Sequence, residues 1–123
     1  MLYAILCYNS EQMVGSWTQE QDDAVMARLR VVHEALDGKL GPAIRLNPTK
    51  AATTLMKNEE PHYVIDGPYA ETKEALLGFY ILDVASADEA MDAARQLAAA
   101  NPGGAYEIRP ISLYIPGMAL AET

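Results

Sequence analysis

The stretch "VIDGPYAETKEALLGFYILDV", residues 64–84, holds two apolar runs parted by Asp66-Gly67-Pro68 and a short charged segment. The second run, Leu76 to Val84, reads as a strand with apolar residues at both alternating sets of positions, so neither face is built for water. Leu2 to Tyr8 repeats that pattern, with Leu2, Ala4, Leu6 and Tyr8 on one face and Tyr3, Ile5 and Cys7 on the other.

Helices follow each of them. Thr18-Gln19-Glu20-Gln21 fits the capping box that satisfies free amides at a helix start. Val25, Leu29, Val32 and Leu36 then recur at steps of four and three along one helical face, and Gly38 suits a left-handed helix end. Ser86-Ala87-Asp88-Glu89 opens a second helix with Met91, Ala94 and Leu97 inward, stopped by Asn101-Pro102-Gly103-Gly104. Between the two helices, "LGPAIRLNP", "AATTLMK" and "HYVID" are short strands parted by turns, expected to form a small antiparallel meander. "AYEIRPISLYI" is the last strand, and Pro110 makes it an edge, a bulge or a break there.

Strand, helix, strands, helix, strand is a ferredoxin-like β-α-β-β-α-β plan of α+β class with an extra β-hairpin. Two helices cover one face of such a sheet, and the other face would show an apolar patch larger than monomers tolerate. A second copy packed sheet to sheet about a two-fold axis removes the patch, so a homodimer is expected.

The totals bound the class. A chain of 123 residues, half of them hydrophobic, suits one domain spanning 1–123 with a single core. A formal net charge of -8 argues against nucleic-acid and anionic-membrane partners. The start, "MLYAILCYN", lacks the flanks of a signal peptide, and no apolar run approaches the ~20 residues of a membrane helix. Cys7 is the only cysteine, which excludes an intrachain disulfide and a cysteine metal cluster. The expectation is a soluble, acidic, cytoplasmic domain.

"DGPYAETKEALLGFYILDV", then "DEAMDAA" and "YEIRPI", resembles the YCII-related (DGPF-type) domain family. Asp66, Gly67, Pro68, Tyr69, Glu71, Lys73 and Glu74 match its motif, with Tyr in place of the usual Phe, and the likeness runs from "MLYAILCYN" through Pro110. The resemblance implies a dimeric ferredoxin-like α+β barrel and says little of chemistry. A His-Asp pair proposed for some members places the His near the start of the first helix. That segment here reads "QEQDDAVMARL", so the pair is not carried over. Neighbouring extracytoplasmic-function sigma factors, common beside DGPF-type proteins, imply a regulatory partner by resemblance.

Asp66 and Glu71 are the candidate catalytic carboxylates, since paired carboxyls divide acid and base roles when their surroundings separate their pKa values. The bland reading is a turn in which Asp66 accepts backbone amides and Glu71 starts a helical turn. Tyr69, Arg109 and His62 are the candidate substrate-binding neighbours. His62 lies four residues before Asp66, ~13 Å away along an extended strand. His33 and Asp37 can meet across one helical turn, yet His33 also borders Leu29 and Leu36 and reads first as a boundary histidine. Arg45 and Arg109 sit on strands, where cross-strand ion pairing competes with anion binding. Trp17 precedes the capping box opposite Asp22 rather than an apolar staple partner; packing at the helix entry is its first reading, and covering a cleft or a dimer seam is the alternative. Two distant histidines make no metal site, no phosphate loop or nucleophile elbow is present, and no cofactor is expected. The expected function is a small-molecule site in the sheet-helix cleft, serving cofactor-independent acid/base chemistry or, alternatively, a non-catalytic ligand-sensing or regulatory module.

Overall fold

A computed structural model of the chain describes residues 1–121. Strand β1 spans Leu2–Asn9, the short helix α1 Glu11–Gly15 and the helix α2 Gln19–Ala35. Strands β2 (Leu40–Arg45), β3 (Thr53–Met56), β4 (Tyr63–Asp66) and β5 (Ala75–Asp83) follow, then helix α3 (Ala87–Ala100) and strand β6 (Ala105–Pro110). The class is α+β. Four strands form an antiparallel sheet in the order β2-β5-β1-β6, and β3 pairs with β4 in a separate hairpin. Setting the hairpin aside, the element order and sheet order fit the ferredoxin-like plan.

The meander expected between the helices does not form. β2 leaves β3 and pairs with β5, through Ala43↔Tyr80 and Arg45↔Gly78. That choice places β2 on a strand that is apolar on both faces, while the threonine-rich β3 takes the exposed hairpin. Gly78 permits the pairing: a Cβ there would collide with the Ile44 carbonyl. β6 is an edge strand that ends at Pro110, where the ring removes the ladder donor.

Helices α2 and α3 cover one face. Tyr3, Ile5 and Cys7 of β1 and Tyr80 and Leu82 of β5 point into it, against Val25, Leu29 and Leu36 from the α2 side and Ala90, Ala93, Ala94, Leu97 and Ala100 of α3. Ile5, Leu82 and Leu97 are the largest fully buried side chains, and each stabilises the fold by about 1.5–3 kcal/mol. The inner face of α3 is made of these alanines and Leu97, and Met91, expected inward, is exposed instead.

Both expected N-caps are present. Thr18 Oγ1 accepts from Gln21 N at 3.1 Å, and Gln21 Oε1 accepts from Thr18 N at 2.9 Å, a complete capping box. Ser86 Oγ accepts from Glu89 N, while the Glu89 carboxylate reaches one residue further back to Ala85 N. Gly38 follows α2 with φ +86°, in the left-handed region where a Cβ is unfavourable. Among the described residues no helix is long and apolar enough to cross a membrane.

Among the described residues, no helix covers the opposite sheet face. Alternation gives it Leu2, Ala4 and Leu6 of β1, Phe79 and Ile81 of β5 and Ile44 of β2, all at least partly exposed, with Glu107 and Arg109 along β6.

Candidate functional site

Helix α2 does not seal against the sheet along its whole length. Between its inner face and strands β1, β2 and β5 lies a cavity of about 230 Å³. Val25, Met26 and Leu29 of α2 form its roof, and Trp17 and Val14 close one side. Cys7, Gly78 and Ala43, three small residues on adjacent strands, line the sheet side, with Tyr80 and Tyr106 beside them. A bulge between Cys7 and Tyr8 shifts the β1–β5 register so that Tyr8 pairs with Leu76, and the unpaired Leu77 also lines the cavity. Outward, the cavity joins a wider, more polar region of about 850 Å³ between α1 and the loop after β2. Val14, Trp17, Asp22, Arg45 and Leu77 line both regions and therefore form the passage.

The polar groups divide by depth. At the passage, Arg45 Nη2 donates to Asp22 Oδ1 at 3.3 Å, an ion pair between β2 and α2 in place of the expected cross-strand pair. Deeper, His33 Nε2 and the Tyr80 hydroxyl are 3.4 Å apart, with the rings edge to face at a centroid distance of 5.6 Å. His33 thus faces the sheet, and its partner is Tyr80 rather than Asp37. Asn101 Nδ2 donates to the Tyr106 hydroxyl at 3.4 Å, leaving Asn101 Oδ1 buried without a partner.

Burial sets the protonation of the deep groups. It lowers the His33 pKa, so the imidazole is neutral and basic at neutral pH. Burial also pushes the Cys7 thiol up to about 11 and raises the Tyr80 phenol, helped by Tyr106 and Cys7, and the Tyr106 phenol, helped by Cys7 and opposed by the Asn101 hydrogen bond. The inner cavity therefore presents one neutral base and three groups that keep their protons. This is the inventory of general acid/base chemistry, with donors for an oxygen and an acceptor for a proton. Among the described residues no group of three or more His, Cys, Asp and Glu side chains could hold a metal ion.

Helix α1 forms the outer wall. The Glu11 carboxylate accepts from Thr49 N at 2.8 Å and from the Thr49 hydroxyl, spanning the outer region from α1 to the loop after β2. Those two bonds, the side-chain one foremost, hold the Glu11 pKa below its usual value.

The five residues singled out from the sequence lie elsewhere in the chain. Asp66 ends β4, and its carboxylate accepts no hydrogen bond among the described residues. The turn is instead held to β3, by Gly67 N on Ala52 O at 2.9 Å and by Thr54 Oγ1 on Gly67 O at 2.8 Å. Tyr69 and Glu71 sit exposed on the following loop, which makes no helical turn. His62 pairs with Glu60 at 3.0 Å, and Arg109 stands on the open sheet face opposite Ala4. None of the five lines the cavity within one chain, and no hydrogen bond or ion pair joins any two of them among the described residues. The cavity residues were hidden in the sequence because Cys7, Tyr80 and Tyr106 occupy strand positions that also read as core. Only their register, Cys7↔Gly78 and Cys7↔Tyr106, brings them to one place.

Fold and cleft together define a ferredoxin-like α+β domain with a small internal cavity under its first long helix. The chain belongs to the YCII-related domain family, whose sequence model matches residues 1–114. It is also similar to an uncharacterised protein of Rhizobium meliloti (strain 1021), 54% identical over 120 residues that make up 95% of this chain and 97% of the relative.

Proposed function

We propose that the cleft under α2 binds a small organic molecule and performs cofactor-independent acid/base chemistry on it, with His33 as the base and Tyr80 as the hydroxyl donor. The observation that carries this reading is the His33–Tyr80 contact at 3.4 Å on the wall of a largely apolar cavity. An apolar lining of that kind makes each polar contact inside it count for more.

The working unit in this proposal is a homodimer, a dimeric α+β barrel built through the open sheet face. The apolar surface on that face supports it, and so do Leu113, Ile115, Met118 and Leu120 of the segment after β6, which are 74–82% exposed in the single chain. Asp66, Tyr69, Glu71, His62 and Arg109 join the site in this proposal only as groups that a second copy carries to the cleft. Arg109 already stands on the face which that copy would cover.

A thermal-shift screen of small metabolites tests the site. A ligand at 100 times its Kd stabilises the native state by about 2.7 kcal/mol, a shift of several degrees. The shift should shrink in Tyr80→Phe and in His33→Gln. Equal shifts in wild type and both variants would remove these residues from the site. Binding without turnover would move the protein to the ligand-sensing class. Size-exclusion chromatography with light scattering should give twice the 13.4 kDa chain mass, and a monomer at micromolar concentration would end the dimer proposal.

A further inference from the structure

Resting on the cleft reading above, we infer that the substrate is a small cyclic unsaturated ketone or a close carbonyl relative, and that His33 and Tyr80 isomerise it by moving a proton between two of its carbons. Three observations lead there, from shape, from charge and from the placement of one base beside one donor.

Shape comes first. The inner cavity, about 230 Å³, is larger than the roughly 150 Å³ cavity that accepts benzene, so a substituted six-membered ring fits and a nucleotide does not. The sheet side is bare because Gly78 has no side chain and Cys7 and Ala43 are small. Leu29 and Val25 stand over it from α2. A small ring bounded by these apolar groups on both sides fits the space.

Charge is second. The titratable groups lining the inner cavity are Cys7, Tyr8, His33, Tyr80 and Tyr106, with Asp22 and Arg45 at the passage. Asp22 and Arg45 engage each other, so no free charge faces the interior. A ligand carboxylate or ammonium entering that space would lose its water without gaining an ion-pair partner. A carbonyl oxygen pays no such penalty, and it finds hydroxyl donors. Negative charge that appears on it only during reaction is stabilised by a donor already in place.

Placement is third. In the free protein the Tyr80 proton can go to His33 Nε2, 3.4 Å away. A carbonyl oxygen beside Tyr80 offers that proton a second acceptor and releases Nε2 to act as base. Nε2 then takes a proton from the carbon between the carbonyl and the carbon-carbon double bond. The C–H electron pair becomes a carbon-carbon π bond, and the carbonyl π pair moves onto oxygen, held by the Tyr80 hydroxyl. His33 returns the proton to the far carbon of the original double bond as the carbonyl re-forms. The product is the conjugated isomer. Atoms and electrons balance with no oxidant, reductant or second substrate.

The probe pair is cyclohex-3-en-1-one, as substrate, and cyclohex-2-en-1-one, its conjugated product, followed by the rise in ultraviolet absorbance. Trp17 is the sole tryptophan and lines the cavity, so its fluorescence reports binding independently of turnover. The expected results are saturable quenching of Trp17 by the product and isomerisation about 100-fold or more faster than free imidazole at the same concentration. In His33→Gln the rate should fall to the imidazole level while saturable quenching persists at weaker affinity, and Tyr80→Phe should lower the rate with quenching likewise saturable but weaker. Saturable quenching without acceleration, or full activity in His33→Gln, overturns the isomerisation and leaves the cleft as a binding site. Absence of saturable quenching, with no ligand found in the thermal-shift screen, overturns both.

Discussion

Replacing Gly78 with alanine should destabilise the protein by about 0.5–4 kcal/mol and loosen one wall of the cleft. The added Cβ meets the Ile44 carbonyl head-on and approaches Ile44 C at 3.2 Å and Arg45 Cα at 3.3 Å, all of them backbone atoms that cannot rotate away. Edge strand β2 must therefore move off β5. Overpacking of this kind costs about 1–3 kcal/mol. The shift also strains the neighbouring ladder, including the bond from Leu46 N to Leu77 O at 2.9 Å, and each lost bond removes about 0.5–1.5 kcal/mol. Against this, alanine narrows the unfolded ensemble and returns about 0.4–1 kcal/mol. The control is Gly15→Ala, where nothing lies within 4 Å of the new methyl group and stability should hold or rise slightly. Urea titration monitored by circular dichroism measures both, and amide hydrogen exchange over residues 40–45 should show β2 protection falling in Gly78→Ala alone. Equal midpoints for the two variants, with β2 still protected, would refute the argument that a bare Gly78 lets β2 form the wall.

Thr18→Ala removes the side chain that accepts from Gln21 N, and should cost about 1 kcal/mol in a urea titration, with helix α2 fraying first by hydrogen exchange. With its pKa pushed up to about 11 by burial, the Cys7 thiol should react with an aromatic disulfide at pH 8 at least tenfold more slowly in the native than in the urea-unfolded protein, and equal rates would contradict the burial. The Glu11 carboxylate has a folded-state pKa below its unfolded value, so its contribution is present above the unfolded pKa and is lost as pH falls through the folded one. Wild type should therefore lose more stability than Glu11→Gln on going from pH 7 towards pH 3, and parallel losses would show that the Thr49 contact contributes nothing.

Much of this fold was legible in one dimension because its signals are local. The capping box at Thr18 needs only residues three apart, and the residue after α2 needs only a glycine able to take φ +86°. The two-sided apolar character of β1 and β5 was legible too, and the strand order shows that both lie at the centre of the sheet. The partner of β2 was not legible, because pairing with β3 and pairing with β5 both satisfy a short apolar strand. The choice rests on a close approach at Gly78 between residues more than thirty positions apart in the chain. Likewise, helical spacing placed Met91, Ala94 and Leu97 inward but did not show that Ala90, Ala93 and Ala100 would complete that face and leave Met91 exposed.

The Asp66–Glu71 stretch drew notice as a break between apolar runs, and it is the feature that marks the family. Its own turn is held by β3 backbone and by Thr54, a pairing that only the hairpin creates. The cavity residues carried no comparable signal, because a cysteine or tyrosine on a strand looks the same to the sequence whether it fills a core or lines a slot. By itself the sequence determined the class of fold, the helix ends and the family, since periodicity, caps and an ungapped motif are properties of neighbours along the chain. Tertiary structure decided where an internal space remains and which groups meet in it. His33 and Tyr80 are distant in sequence, and their contact exists only because α2 packs across β5 with small residues beneath it.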